Sequence, residues 1–145
     1  MCSATATGCP ACIAGVNRYC WTALIAFASK SGPRERSTFT SRGVPEASTI
    51  KVFITLVGEE LDATGLLLDF KLLKQVMRPT VEYLDHRMIN ELEPFVTEIN
   101  PSAENLARYF YQETSAQVRE MTDGRVRVKD CTLYETDTSF ARYYE

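Results

Sequence analysis

The sequence predicts an α+β domain, a four-stranded antiparallel sheet with two helices packed on one of its faces. Two observations predict this fold class. Stretches in which apolar and polar residues alternate, as they do in strands, flank two stretches with helical apolar spacing. The resulting order is strand, strand, helix, helix, strand, strand, and it favours helices that cover one side of the sheet.

Four strands are predicted from this alternation, at residues 16–29, 48–56, 125–135 and 139–144. In the second of them, Ile50, Val52, Ile54 and Leu56 share one face, because successive side chains of a strand point to opposite sides. That face is therefore expected to lie in the core.

Two helices are predicted between the strand pairs. After Asp69, apolar residues recur every three or four positions, at Leu72, Leu73, Val76, Met77, Val81 and Leu84. Pro79 interrupts this pattern, so a kink or a break is expected there. The second helix is expected to begin at Asn100 and Pro101, because Asn caps helices and Pro is tolerated at the first helical position.

Length and composition narrow the class of protein. A chain of 145 residues suits one domain, which we assign to residues 16–145, preceded by a flexible cysteine-containing tail at residues 1–15. The formal net charge is -3 and no basic stripe appears, which excludes nucleic acid as the expected partner. No apolar run approaches the ~20 residues that span a bilayer, and no secretory signal is apparent, so a cytoplasmic protein is expected.

The cysteines near the N-terminus leave two interpretations open. Cys9 and Cys12 have the C-x-x-C spacing that can hold a metal or form a redox disulfide. A metal site would need Cys2, Cys20 or a partner chain to complete it. The alternative is a tail with free thiols.

A series of motifs resembles one known family. Residues 58–74 read Gly-Glu-x-Leu-Asp-x-x-Gly-Leu-x-x-Asp-Phe-x-x-Leu-Lys, followed by Leu-Asp-His at 84–86 and Asn-Pro-Ser-Ala-Glu-Asn-Leu-Ala at 100–107. In this order they resemble the 6-pyruvoyl-tetrahydropterin synthase and 6-carboxytetrahydropterin synthase family, from about Thr49 onwards. The resemblance implies a tunnelling fold, in which sheets pair edge to edge into a homotrimeric barrel and trimers stack into hexamers. It also implies a dihydropterin as small-molecule ligand.

Glu135 is the candidate substrate anchor. A carboxylate can accept two hydrogen bonds from the amino-pyrimidinone edge of a pterin, which fixes both orientation and identity. By residue type alone, Glu135 is a solvated glutamate at a strand end. The family places its pterin-anchoring glutamate in a glutamate-threonine-x-threonine motif, which residues 135–138 match, so the resemblance assigns that role to Glu135.

Asp85, His86 and Ser102 are the other candidate site residues. His86 is the only histidine of the chain, and a histidine titrates near neutral pH and suits proton transfer. Neighbours on a helix point about 100° apart, so adjacency to Asp85 does not prove contact. The family uses a matching Asp-His pair in acid–base catalysis, and its matching helix start lines the pterin pocket, which suggests substrate binding by Ser102.

The sequence departs from the family at the metal site. Family members hold zinc with three histidines, whose positions here fall on Lys30, Glu46 and Ser48, while the general-base cysteine falls near Arg42. These residue types do not suit zinc, so no metal and no cofactor is predicted. One hypothesis is that a buried ion pair of Lys30 with Glu46 replaces the metal.

Three functions follow from this pattern. The first is an enzyme of pterin metabolism, a carbon-oxygen lyase acting on 7,8-dihydroneopterin triphosphate or a related dihydropterin, with or without zinc. The second is a pterin- or purine-binding protein without catalysis. The third is a structural subunit that keeps the fold and binds no ligand.

Overall fold

The computed structural model describes residues 19–30 and 47–145. Its elements are β1 (Tyr19–Lys30), β2 (Ala47–Gly58), α1 (Phe70–Leu84), α2 (Ala103–Met121), β3 (Val126–Tyr134) and β4 (Phe140–Tyr144). The strands form one antiparallel four-stranded sheet in the order β1-β2-β3-β4. Both helices pack on the same face of this sheet, which confirms the predicted fold class. The predicted tail at residues 1–15, and the start of the first predicted strand, lie outside the described residues.

Strand β2 is the centre of the core. Ile50, Val52, Ile54 and Leu56 are all buried, as their alternation predicts. The intervening side chains lie on the sheet face that carries no helix, which is called the open face below. The strand is longer than the predicted 48–56, because its pairing with β1 continues to Gly58.

Helix α1 begins after Asp69, whose carboxylate accepts a hydrogen bond from the backbone N–H of Lys71 at 2.8 Å and so caps the helix. The predicted break at Pro79 does not occur, because the helix runs from Phe70 to Leu84 with Pro79 inside it. Pro79 has no backbone N–H to donate to the carbonyl of Gln75, four residues earlier. Gln75 is exposed, so water can satisfy that carbonyl.

The buried stripe of α1 is narrower than its apolar pattern. Leu73, Val76, Met77 and Leu84 are buried, whereas Leu72 is 40% exposed. Leu72 follows the same spacing rule as the others but lies beside Leu73, so it turns about 100° away from the sheet.

Helix α2 begins at Ala103, not at Asn100 and Pro101. Ser102 caps it, since its hydroxyl oxygen accepts a hydrogen bond from the backbone N–H of Asn105 at 3.4 Å. The carbonyl of Asn100 instead accepts from the Asn105 side-chain amide at 2.8 Å. The predicted cap was wrong by two residues, because Ser caps as well as Asn does and Ser102 stands three residues before a backbone N–H that lacks a helical partner.

Strand β3 contains a β-bulge. Thr55 pairs with Asp130 but its neighbour Leu56 pairs with Val128, so Lys129 is the extra residue. Before the bulge Val126 and Val128 face the core, and after it Cys131 and Leu133 do. The predicted alternation is therefore correct only within each half of the strand.

The directions of the elements define two ends of the domain. Residues 122–125 connect α2 to β3 through a turn at Asp123 and Gly124, which both have positive φ, so α2 starts near the end where β3 finishes. Tyr83, near the end of α1, lies close enough to Tyr109, in the first half of α2, to influence its pKa, so the end of α1 lies near the first half of α2. The ends of α1 and β3 and the start of α2 therefore lie at one end of the domain, and Gly58 lies at the other. No helix of the described residues has the length and apolarity needed to cross a membrane.

Candidate functional site

Glu135 lies on the turn of the β3–β4 hairpin. This hairpin turn, residues 135–139, follows Tyr134, which pairs with Phe140 across the two strands. The backbone N–H of Glu135 donates to the Ser139 carbonyl at 3.1 Å, which closes the turn. The Glu135 side chain is exposed, and none of the described residues pairs with its carboxylate.

The Thr136 hydroxyl organises the interior of the hairpin turn. Its oxygen accepts hydrogen bonds from the backbone N–H of Ser139 at 2.9 Å and of Thr138 at 3.3 Å. A threonine hydroxyl that accepts from N–H groups two and three residues ahead favours a turn over a continued strand. The turn thus presents the Glu135 carboxylate to solvent.

An ion pair ties the hairpin turn to β2. Lys51 Nζ donates to Asp137 Oδ1 at 2.6 Å, and both side chains are largely exposed. The hydrogen bond and the charge of Lys51 lower the pKa of Asp137 below its ordinary value. We call this contact the turn ion pair.

Asp85 and His86 follow the end of α1 and are close to each other. His86 Nε2 lies 3.7 Å from Asp85 Oδ2, which is an electrostatic contact beyond hydrogen-bond distance. His86 has a φ of 56°, in the left-handed region that non-glycine residues rarely adopt. Its side chain is 70% exposed, so the imidazole is accessible to a ligand.

Aromatic side chains lie beside this pair. The Arg87 guanidinium is 5.9 Å from the centre of the Tyr83 ring, a cation–π distance, and Phe95 meets Tyr109 edge to face at 5.3 Å. Burial raises the pKa of Tyr109, and the charges of Glu113 and Tyr83 raise it further. Tyr109 therefore keeps its phenol proton at neutral pH.

Ser102 is half-buried at the start of α2, and its hydroxyl is engaged in capping. Two hydrogen bonds lower the pKa of the Glu104 carboxyl. The larger effect comes from the backbone N–H of Glu104 itself, and the smaller one comes from the Ser102 hydroxyl. Its predicted role in substrate binding would have to be compatible with these local hydrogen bonds.

Lys30 and Ser48, two of the positions to which the family resemblance assigns zinc ligands, lie at the same end of the sheet. In the β1–β2 register Lys30 is opposite Ala47, and Ser29 is opposite Ser48. Lysine and serine are not side chains that zinc prefers, so these positions do not fit the ion. Glu46 and the side chains of Lys30 and Ser48 lie outside the described part of the chain, so the predicted Lys30 pairing with Glu46 stays a prediction. Within residues 19–30 and 47–145, no group of three or more His, Cys, Asp or Glu side chains could hold a metal.

Element directions bring Glu135, Ser102 and the pair of Asp85 and His86 to the same end of the domain. Their recorded side-chain contacts are with near neighbours in sequence. Sequence reasoning missed Lys51 and Asp137, which are 86 residues apart. The available signal was a lone aspartate inside a turn motif and a lone lysine in an apolar strand, which periodicity cannot pair.

Comparison with known proteins decides the family. Residues 47–145 match the model of the family described as 6-pyruvoyl tetrahydropterin synthase. The chain belongs to the 6-pyruvoyl tetrahydropterin synthase family. It is 29% identical over 114 residues to a Bacillus subtilis 6-carboxy-5,6,7,8-tetrahydropterin synthase, a match that covers 77% of this chain and 74% of the relative.

Two further comparisons agree with this family. An Aquifex aeolicus 6-carboxy-5,6,7,8-tetrahydropterin synthase is 27% identical over 111 residues, which cover 63% of this chain and 68% of the relative. The structure of Caenorhabditis elegans 6-pyruvoyl tetrahydropterin synthase superposes with a TM-score of 0.69 and 18% identity, covering 88% of this chain and 96% of that one. At this identity the structural likeness shows the shared tunnelling fold. The prediction from the motifs is therefore confirmed for family and fold.

Proposed function

We propose that the protein binds a dihydropterin through Glu135 and acts on it as an enzyme of the pterin synthase kind. The observation that carries this proposal is the exposed Glu135 carboxylate, presented on a turn that internal hydrogen bonds define. Curated relatives named as 6-carboxytetrahydropterin synthases support the substrate class, with 7,8-dihydroneopterin triphosphate or a related dihydropterin as the substrate.

The chemistry of recognition follows from the shape of the pterin. Its amino-pyrimidinone edge offers a ring N–H and an exocyclic amine side by side, and one carboxylate can accept from both. Because Glu135 is not paired with any described residue, binding breaks no ion pair within that part of the chain. The pterin edge would replace water at this carboxylate.

Proton transfer is the proposed task of His86, with Asp85 as its electrostatic partner. The imidazole is exposed and can reach a bound ligand, while the carboxylate at 3.7 Å is a nearby charge that does not hold the ring by a hydrogen bond. The left-handed backbone of His86 supports this role, since strained positions are often kept where function requires them.

We infer that zinc is not held here as it is in the family. The basis is the residue types at the three aligned positions, Lys30, Glu46 and Ser48, rather than any metal content. Proton movement then depends on Asp85 and His86. A binding protein without turnover is the second candidate, and the absence of histidine at all three ligand positions is the observation that favours it.

We also propose that the chain forms a homo-oligomer, a trimer or a hexamer. Strands β1 and β4 are at the two edges of the sheet, and an edge strand offers backbone groups to another chain. Light scattering after size-exclusion chromatography tests this proposal. A monomer would contradict it.

Replacing Glu135 by Gln tests the binding proposal. Glu135→Gln keeps the size of the side chain but presents an amide N–H to the ligand amine. Hydrogen bonds to a charged group contribute about 1.5–3 kcal/mol, so we expect pterin to bind about 10- to 100-fold more weakly by fluorescence titration. Glu120→Gln, an exposed glutamate at the far end of α2, is the matched control and should bind as wild type. Equal affinities for wild type and Glu135→Gln would contradict the proposal.

Turnover separates the two candidates. The purified protein is mixed with 7,8-dihydroneopterin triphosphate, with and without a chelator, and the products are followed by chromatography. Turnover that survives the chelator supports an enzyme without an exchangeable metal. Turnover that the chelator abolishes would overturn the metal-free interpretation, and binding without turnover would favour the second candidate.

A further inference from the structure

The hairpin turn that carries Glu135 makes few interactions that hold it against the sheet. All residues of the turn, 135–139, are exposed, so burial in the core does not fix the turn. Its hydrogen bonds, from Glu135 to Ser139 and from Ser139 and Thr138 to Thr136, lie within the turn. They define its shape but leave its tilt relative to the sheet undetermined.

The turn ion pair supplies the missing contact. Among the described residues, the bond from Lys51 to Asp137 is the one side-chain hydrogen bond or ion pair between the hairpin turn and another element. Lys51 lies opposite Tyr134 in the β2–β3 register, so it stands beside the last strand residue before the turn. Its ammonium group therefore holds the turn from the neighbouring strand.

Lys51 itself projects from a rigid surface. On the open face, Tyr134 contacts Phe53 at 5.3 Å and Phe140 at 5.0 Å between ring centres, which joins β2, β3 and β4. The row of Lys51, Tyr134 and Phe140 crosses the same three strands. Lys51 therefore projects from the part of the sheet that these rings join, which gives the turn a reference point on the sheet.

Glu135 is two residues from Asp137, so a tilt of the turn displaces its carboxylate. Two parallel hydrogen bonds to the pterin edge tolerate only small displacements, because each requires about 2.7–3.2 Å between heavy atoms. We propose that Lys51, through its ion pair with Asp137, is a positioning residue that holds the hairpin turn so that Glu135 can meet both donors of a pterin. This proposal rests on the proposed function of Glu135.

The test uses full-length protein and free pterin, the bare 2-amino-4-oxo ring. In Lys51→Met and Asp137→Asn we expect lower backbone ¹⁵N order parameters at residues 136–139. We also expect binding weakened about 3- to 5-fold, the range an exposed ion pair can transmit. The charge-exchanged variant, Lys51→Asp with Asp137→Lys, should recover most of both losses.

A matched control is available on α1. Arg78 Nε donates to Glu82 Oε1 at 2.6 Å, an exposed ion pair with the same distance as the turn ion pair. Arg78→Met also removes one positive charge, and it should change neither the order parameters of the turn nor the affinity for pterin.

Each other outcome is informative. Unchanged order parameters, or lower ones with unchanged affinity, would overturn the positioning role. If Arg78→Met weakened pterin binding equally, the effect would be one of net charge, and the positioning role would be overturned as well. If the charge-exchanged variant restores the turn but not the affinity, Lys51 contacts the ligand directly and the proposal is wrong. If wild type binds no pterin, the proposed function fails, and the positioning of Glu135 for a pterin fails with it. If wild type binds pterin and Lys51→Met and Asp137→Asn bind it equally well, only the positioning role is overturned.

Discussion

Two ion pairs of similar length occupy different environments on the open face of the sheet. In the sheet ion pair, Arg142 Nη2 meets Asp130 Oδ2 at 2.7 Å, and the Asp130 side chain is 3% exposed. In the turn ion pair the distance is 2.6 Å, but the Asp137 side chain is 87% exposed. The difference teaches that distance alone does not rank ion pairs, because burial sets the cost of leaving a charge without its partner.

The sheet ion pair belongs to a hydrogen-bonded row across all four strands. Thr55 Oγ1 donates to Asp130 Oδ1 at 3.0 Å and lies 3.1 Å from Thr22 Oγ1, so the row joins β1, β2, β3 and β4. The Asp130 carboxylate is inaccessible to solvent, which suits a structural role. The turn ion pair lies at the strand ends, where a small movement alters the candidate site.

The largest expected effect comes from Arg142→Met. This change leaves the Asp130 carboxylate buried with only the Thr55 hydroxyl as a recorded partner. Removing one member of a buried pair costs about 3–5 kcal/mol, and we expect ~3 kcal/mol because Arg142 is half exposed. Urea denaturation measures this loss of unfolding free energy.

Asp130→Ala is the companion variant. It should cost less than Arg142→Met, because the released guanidinium can turn to water whereas the buried carboxylate cannot. If Asp130→Ala proves the more destabilising of the two, the distinction by burial is wrong.

Thr55→Val is expected to have the next largest effect. It removes the hydroxyl that donates to Asp130 and keeps the shape of the side chain. The loss should be about 1.5 kcal/mol of unfolding free energy, the lower value for a hydrogen bond to a charged group. Thr132→Val, at a half-buried position of β3 on the same face, is the control and should change stability little. Equal losses would mean that the hydroxyl of Thr55 is not what matters.

Lys51→Met should have a smaller effect on stability. Exposed ion pairs contribute little, so we expect the melting temperature to change by less than about 3 °C in calorimetry, as for Arg78→Met. A large drop for Lys51→Met alone would show that the turn ion pair is structural after all. The comparison between the two pairs would then lose its meaning.

The smallest expected effect is on the loss of stability at acid pH. Hydrogen bonding and charge from Lys51 lower the pKa of Asp137 in the folded state, so this pair contributes stability above the ordinary aspartate pKa and loses it as the pH falls through the lowered value. Between pH 6 and pH 3, Asp137→Asn should lose slightly less stability than wild type, and Lys51→Met should match it. A steeper acid loss in either variant would contradict the assigned cause.

The sequence was a good guide wherever one face is buried. The alternation in β2 and the spacing of Leu73, Val76 and Met77 reflect contact with one continuous core, so they appear as periods in the chain. The hairpin motif at Glu135 was found through family resemblance, because an exposed glutamate has no periodic signature.

The sequence failed where a contact joins distant residues. Nothing in the order of residues pairs Lys51 with Asp137, or Thr55 with Asp130, since such pairs depend on strand register and not on composition. The capping error at α2 has a different cause, because Asn100 and Ser102 are both good caps and only the chain path selects one.

The β-bulge at Lys129 has a consequence for comparing relatives. If these same residues paired with β2 in regular alternation, without the bulge, Asp130 would lie opposite Ile54, and its carboxylate would point into the apolar layer under the helices. The extra residue thus acts as a change of phase, because the residues after it lie on the faces opposite to those that regular alternation from Val128 would give them. Alignments of β3 should therefore count insertions at this point before they compare residue types beyond it.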